Sequence, residues 1–123
     1  MTVIARPHHP THEAKGVKFT SLATPSRGTS ETSIWQVEIA PGTPGFPHQV
    51  TREELFHVLV GRLTVSMNGD RHEAAPGDTV AIPPDTTFAL ANETDEPVHA
   101  LVCFPVGGQA RTNEGTFTPP WAE

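Results

Sequence analysis

The stretch PGTPGFPHQVTREELFHVLVG, residues 41–61, decides the fold. It opens with a Pro-Gly turn, continues with a single histidine, His48, and reaches an acidic pair whose second member is Glu54. Thr51 and Glu54 have the spacing of a helix capping box. The next residues, LFHVLV, however, include β-branched and aromatic side chains and end at Gly61. So short an apolar run, closed by glycine, favours a strand over a helix. The stretch therefore predicts a hairpin that carries His48 and Glu54.

Outward from this hairpin, short apolar segments recur at even spacing with turn residues between them. They are residues 17–22, 33–40, 63–67, 79–82, 88–91 and 98–104. In residues 33–40 apolar and polar side chains alternate, with Trp35 on the apolar face. Asn68-Gly69 is the strongest short hairpin signal in the chain and predicts a type I′ turn. Many short strands without a long helical period predict an all-β fold, either a sandwich or a barrel.

The composition is that of one small globular domain. The chain has 123 residues, of which 36% are hydrophobic, and its prolines and glycines are spread along its length. The formal net charge is −6 and basic residues do not cluster, which argues against nucleic acid as a partner. Cys103 is the single cysteine, so an intrachain disulfide is excluded. Because neither a signal peptide nor a long apolar run is present, we expect a cytoplasmic protein with no membrane partner.

The two ends of the chain differ from its centre. Residues 1–16 place three histidines among prolines and predict a flexible N-terminal arm. Residues 17–105 are predicted to form the barrel. Residues 106–123 are rich in Gly and Pro and predict an extended C-terminal tail. Trp121 is costly to leave in water, so we expect the tail to pack on the barrel or on a partner subunit.

Residues 33–105 resemble the cupin superfamily, whose members are small double-stranded β-helix (jelly-roll) barrels. The first cupin motif runs G, five residues, HxH, three or four residues, E, six residues, G. The second runs G, five residues, PxG, two residues, H, three residues, N. The matching positions in this chain are Gly42, His48, Glu54 and Gly61 for the first motif, and Gly77, Pro83 and Asn92 for the second. The resemblance implies an all-β jelly-roll barrel.

The chain departs from both motifs where metal-binding cupins hold a divalent ion. In those cupins the ligands are the two first-motif histidines, the glutamate and the second-motif histidine. Here Val50 replaces the second histidine of the first motif, and Phe88 replaces the histidine of the second. The remaining pair, His48 and Glu54, would chelate a metal weakly. His57 lies three residues after Glu54 and should point away from it on a regular strand. We therefore expect no tightly bound metal cofactor, and at most a weakly held divalent metal on His48 and Glu54.

The same positions predict a small-molecule site. The resemblance places His48 and Glu54 in the pocket, where desolvation would raise the pKa of the Glu54 carboxyl. We predict that these two residues are catalytic acid–base groups. The predicted ligand-binding residues are Trp35, Val50, Phe56 and Phe88. The structural alternatives are an ion pair of Glu54 with Arg52 or Arg62, and a His48 that only hydrogen-bonds a neighbouring carbonyl in the turn.

Three functions remain open at this point. The first is a metal-independent isomerase, cyclase or dehydratase that acts on a small apolar or aromatic compound. The second is a ligand-binding module without catalysis, and the third is a metal-dependent oxygenase or isomerase with an unforeseen third ligand. The resemblance also implies a homodimer. Independently of it, Leu55 and Leu59 should face away from the barrel interior, where apolar side chains need a cover.

Overall fold

The strand periodicity of the sequence is realised along almost the whole chain. The computed structural model describes residues 3–123, which contain twelve β-strands and two single-turn 3-10 helices. The strands are β1 (His12–Ala14), β2 (Val17–Ala23), β3 (Thr32–Ile39), β4 (Gln49–Val50), β5 (Glu54–Val60), β6 (Leu63–Met67), β7 (Asp70–Ala74), β8 (Thr79–Ile82), β9 (Phe88–Ala91), β10 (Val98–Pro105), β11 (Ala110–Thr112) and β12 (Gly115–Phe117). The helical turns are Pro25–Arg27 and Pro120–Ala122. Over residues 3–123, no helix has the length and apolar character that a membrane crossing requires.

The strands form two facing layers. The first layer is a six-stranded antiparallel sheet with the order β1-β2-β3-β10-β5-β8. The second layer contains two three-stranded sheets, β12-β11-β4 and β7-β6-β9. His48, directly before β4, and Phe88 in β9 exchange two backbone hydrogen bonds, with N···O distances of 3.0 and 2.9 Å, which join these two sheets. This double-layered antiparallel arrangement is the jelly-roll barrel that the sequence predicts.

Alternation along the strands puts one face of each layer into the core. In β3, β5 and β10 every second residue is buried over most of the strand, as the period of two requires. The large side chains that are almost fully buried come from both layers: Trp35, Leu63, Val65, Ile82, Phe88 and Phe104. Each such side chain stabilises the fold by about 1.5–3 kcal/mol through the apolar surface it removes from water. The core therefore holds the two layers together and leaves one end of the barrel open.

Several sequence predictions agree with the structure in detail. The strands predicted at residues 79–82 and 88–91 have those bounds. Asn68 and Gly69 both have positive φ angles, 49° and 85°, as a type I′ turn requires. The strand predicted at residues 55–60 begins one residue earlier, at Glu54.

Two segments differ from the prediction, one near each end of the chain. His12–Ala14, which the sequence assigned to the flexible arm, pairs with β2. Residues 110–117, which the sequence assigned to an extended tail, form the β11–β12 hairpin, and β11 pairs with β4. Each added strand forms hydrogen bonds with backbone groups that would otherwise lie unpaired at a sheet edge. The sequence did not predict these strands, because three residues are too few to show an alternation of apolar and polar side chains. Beyond the hairpin, the Trp121 ring stacks on Phe19 with ring centroids 3.6 Å apart, so the tail packs on the barrel of its own chain.

The glycine that closes the first motif is required by a close backbone approach. Gly61 has a φ of +84°, and a Cβ at this position would lie 2.5 Å from the carbonyl oxygen of Pro97. L-residues with side chains rarely adopt this conformation. The contact fixes the end of β5 against the start of β10, whose Val98 is fully buried.

The asparagine of the second motif holds a turn together from inside. Asn92 is fully buried, and its Nδ2 donates hydrogen bonds to the carbonyl oxygens of Ile39 (3.0 Å) and Glu96 (2.7 Å). Its Oδ1 accepts from the backbone N–H of Thr94 (3.0 Å) and from the Thr94 hydroxyl (2.7 Å). The side chain therefore ties the β9–β10 turn to the end of β3.

We expect Asn92→Ala to lower the free energy of unfolding by about 1–3 kcal/mol, because it leaves buried backbone groups without a partner. Urea denaturation of the two proteins measures the difference. Asn113→Ala is the matched control, because Asn113 lies exposed in the β11–β12 turn. Equal losses in the two variants would contradict the role assigned to Asn92.

Candidate functional site

The open end of the barrel contains an apolar cavity of about 260 Å³. It lies between the six-stranded sheet and β11–β12, and the 41–47 loop and the C-terminal helical turn also contribute to its wall. The lining residues are Ala14, Lys15, Val17, Phe19, Trp35, Val37, Ile39, Thr43, Pro44, Phe46, Pro47, His48, Glu54, Phe56, Leu90, Ala110, Thr112, Phe117 and Trp121. The exposed residues Lys15, Phe46 and Phe117 form what we call the mouth of the cavity. The wall is therefore apolar apart from a few polar groups.

Glu54 is the carboxyl group that faces this cavity. It begins β5, pairs with Ile82 in an unbroken register, and is only 6% exposed. Burial raises the pKa of its carboxyl group to about 8, because desolvation disfavours the charged form. Glu54 is therefore mainly protonated at pH 7.

The ion-pair alternative for Glu54 is not seen. Arg62 pairs instead with Glu73, at an Nη1···Oε2 distance of 3.4 Å on the surface. Among residues 3–123, no Lys, Arg or His lies within ion-pair distance of Glu54. A carboxyl group buried without a cation is typical of a functional site rather than of a structural ion pair.

His48 lines the same cavity and has a defined ring orientation. Its Nδ1 lies 2.9 Å from the carbonyl oxygen of Phe46. A carbonyl only accepts, so Nδ1 carries the hydrogen, and Nε2 of the neutral ring keeps its lone pair. The ring packs against Phe88 with centroids 4.3 Å apart. The sequence predicted this hydrogen bond as a structural alternative for His48. In the structure the bond also sets the tautomer of the His48 ring, which faces the cavity.

The other predicted ligand-binding residues divide into two groups. Trp35 and Phe56 line the cavity. Val50 and Phe88 are not among its lining residues, and with 2% and 1% exposure they are packed in the core. Phe88 contacts the His48 ring from the core, so it positions a cavity residue instead of forming the wall. Ligand contact by Val50 or Phe88 therefore has no support in the geometry, whereas for Trp35 and Phe56 it stays a prediction.

The residues present do not fit a cupin-type metal centre. Two of its four ligand positions carry Val50 and Phe88, which have no donor atom for a metal. Across residues 3–123, no group of three or more His, Cys, Asp or Glu side chains is placed to share a metal ion. His57 cannot complete the set, because it points outward, as predicted, with Nδ1 2.8 Å from the Thr79 hydroxyl. His99 lies on the same outer face, 3.5 Å from a Glu38 carboxylate oxygen.

Sequence reasoning missed several residues of the cavity. Lys15, Phe46, Phe117 and Trp121 all line it, yet none belongs to a cupin motif. The Lys15-Gly16 dipeptide was the available signal, since a glycine just before a strand is typical of a hairpin turn. Phe117 and Trp121 reach the cavity only because the tail folds back as a hairpin. The predicted outward direction of Leu55 and Leu59 is correct, whereas the homodimer and the cytoplasmic location stay predictions.

Comparison with known proteins agrees with this architecture. The family described as the cupin domain matches residues 35–104. An uncharacterized protein of Methanocaldococcus jannaschii is 34% identical over 53 residues, which cover 43% of this chain and 42% of the relative. The chain thus spans less than half the length of that relative.

Solved structures show the same fold. The polyketide cyclase RemF of Streptomyces resistomycificus aligns with a TM-score of 0.69 at 20% identity, over 83% of this chain and 73% of that one. The plu4264 protein of Photorhabdus luminescens gives a TM-score of 0.71 at 21% identity, over 84% and 87% of the two chains. KdgF of a Halomonas species gives 0.63 at 26% identity, over 78% and 86%. The chain has the jelly-roll topology and carries matching positions of both cupin motifs, and the family match covers more than half of its length. This chain therefore belongs to the cupin family.

Proposed function

We propose that the protein binds a small apolar or aromatic compound in the cavity and transfers a proton to or from it with Glu54 and His48. The observation that carries this proposal is the buried Glu54 carboxyl group in the wall of a mainly apolar cavity, where desolvation raises its pKa to about 8. An acid with a pKa near the working pH is suited to general acid–base catalysis. Such a site supports isomerisation, cyclisation or dehydration, none of which needs an oxidant.

The two groups have complementary roles in this proposal. The Glu54 carboxyl donates its proton to a carbonyl oxygen of the substrate, and Nε2 of His48 accepts a proton from the adjacent carbon. Where a double bond adjoins the carbonyl carbon chain, the substrate becomes a dienol. His48 then returns its proton to the far carbon of the dienol while the enol O–H gives its proton back to Glu54, which re-forms the carbonyl and completes an isomerisation. The apolar wall excludes water and strengthens both proton transfers. A fold relative, RemF, is a polyketide cyclase, so the cupin barrel is compatible with chemistry of this class.

The proposal is tested with β-tetralone, a bicyclic aromatic ketone, in deuterium oxide. Wild-type protein should accelerate exchange of the protons next to the carbonyl, followed by proton NMR. Glu54→Gln should lower the catalysed rate by roughly 100-fold, which is typical for the loss of a general acid. Glu53→Gln is the matched control, because Glu53 is the exposed residue directly before β5.

Binding is measured in parallel samples in ordinary water by the indole N–H signals of Trp35 and Trp121, both of which line the cavity. Bound tetralone that exchanges no faster than in buffer would show a ligand-binding module without catalysis. Equal exchange in wild-type protein and Glu54→Gln would likewise overturn the assignment of Glu54.

A further inference from the structure

The mouth of the cavity contains a cation. Three lining residues are ionisable: Glu54, His48, and Lys15 in the turn between β1 and β2. The Nζ of Lys15 lies over the Phe46 ring, 4.5 Å from its centroid. Among residues 3–123, no carboxylate pairs with this ammonium group. Lys15 is therefore available to an anion that enters the cavity.

The backbone of this turn is one that lysine rarely adopts. Lys15 has a φ of 49° and Gly16 a φ of 83°, which is the pattern of a type I′ turn. The first central position of such turns favours Asn, Asp or Gly. An unfavourable residue held in the left-handed region points to a role for its side chain.

The turn is also anchored against the wall of the cavity. The carbonyl oxygen of Gly16 accepts a hydrogen bond from the N–H of Ala40 (3.0 Å). A Cβ at Gly16 would lie 2.8 Å from the hydroxyl oxygen of Thr43, a lining residue whose hydroxyl donates to the carbonyl of Ala40 (2.7 Å). The base of the Lys15 side chain is thus fixed next to the mouth.

We propose that the ligand is an aromatic organic anion whose apolar body lies in the cavity and whose anionic group, such as a carboxylate, binds Lys15. Phe46 and Phe117, 48% and 42% exposed, would be covered by the ligand where it leaves the cavity. The net charge of −6 repels anions in general, so a preference for one must come from a local cation. This inference rests on the proposed function, because it assumes that the same cavity binds an apolar or aromatic compound.

Naphthoate and naphthamide are the probes, since they have nearly the same shape and differ in charge. Calorimetric titration at pH 7 should show naphthoate binding about fivefold more tightly than naphthamide to wild-type protein, as expected for one partly exposed ion pair. Lys15→Met should abolish this preference by weakening naphthoate binding more than naphthamide binding, whereas Lys15→Arg should retain it. Added salt should weaken naphthoate binding only.

Lys18→Met is the matched control, because Lys18 lies next to Glu38 on the outer face of the sheet (4.0 Å) and should not affect either probe. Equal affinity of wild-type protein for the two probes, or a preference that survives Lys15→Met, would overturn the role of Lys15 while the apolar cavity stands. If neither probe moves the indole signals of Trp35 and Trp121, the aromatic-binding cavity itself is wrong, and the inference fails with it.

Discussion

Glu54→Gln is expected to stabilise the protein at pH 8 by several kcal/mol, with little effect at pH 5. In the folded protein the Glu54 carboxyl has a pKa of about 8, against 4.5 for an ordinary glutamate. A raised pKa means that the folded state holds its proton while the unfolded state releases it. The contribution of the Glu54 proton to the free energy of unfolding is therefore fully present below pH 4.5. It falls as the pH rises towards 8 and changes no further above that pH. At about 1.4 kcal/mol per pH unit, the loss between pH 5 and pH 8 is roughly 3–4 kcal/mol.

Urea denaturation at half-unit steps from pH 5 to pH 9 measures this effect. The free energy of unfolding of wild-type protein should fall across the range relative to that of Glu54→Gln, which has no proton to lose at this position. Taking the difference between the free energies of unfolding of the two proteins cancels the contributions of all other ionisable groups, which the two proteins share. Glu53→Gln should follow the wild-type curve, because Glu53 is exposed. Parallel curves for wild type and Glu54→Gln would show that Glu54 is ionised in the folded protein at neutral pH.

The sequence predicted the barrel well because its signals are local. The alternation of apolar and polar residues over 33–40 correctly predicted that Trp35 is buried. The Asn-Gly pair likewise predicted a type I′ turn, which requires the positive φ angles that Asn68 and Gly69 have. The direction of Glu54 was predictable for the same reason, since β5 alternates regularly from Glu54 to Val58 and its register shift against β10 comes only after Val58.

Only part of the cavity wall was predictable, because many of its residues lie far apart in the sequence and meet only through tertiary contacts. Trp121 reaches it by stacking on Phe19, more than a hundred residues earlier in the chain. Lys15 reaches it through a three-residue strand that leaves no periodic pattern. Phe88 shows the converse error: the motif places it at a ligand position, but a phenyl ring gains more free energy by packing in the core than by facing a cavity.

The combined variant Val50→His/Phe88→His is expected to bind a divalent metal at least roughly a thousandfold more tightly than wild-type protein. Phe88 already contacts the His48 ring, at a centroid distance of 4.3 Å, so a histidine there adds a second imidazole beside the first. Val50 lies two residues after His48, on the same side of the strand. With Glu54, the variant would carry four N and O ligands in place of two.

Cobalt titration, followed by the visible absorption of the bound ion and by dialysis, measures this gain. Affinity should rise with pH, because the metal displaces the proton of Glu54. Both substituted residues are almost fully buried, so the metal-free variant should be less stable than wild type, and cobalt should restore its melting temperature. Val50→His alone tests a three-ligand site if the combined variant folds poorly.

Glu54→Gln in the histidine background is the matched control, since it removes the carboxylate and keeps the added imidazoles. It should lose most of the gained affinity and the dependence on pH. A folded variant that binds no more cobalt than wild type would mean that the apolar residues at positions 50 and 88 are not what weakens the metal site. The cause would then lie in the geometry of the site, because the backbone would not bring the four side chains close enough to share one ion. A gain that depends on Glu54 would instead show that the side chains at positions 50 and 88 are what separates this chain from a four-ligand metal site.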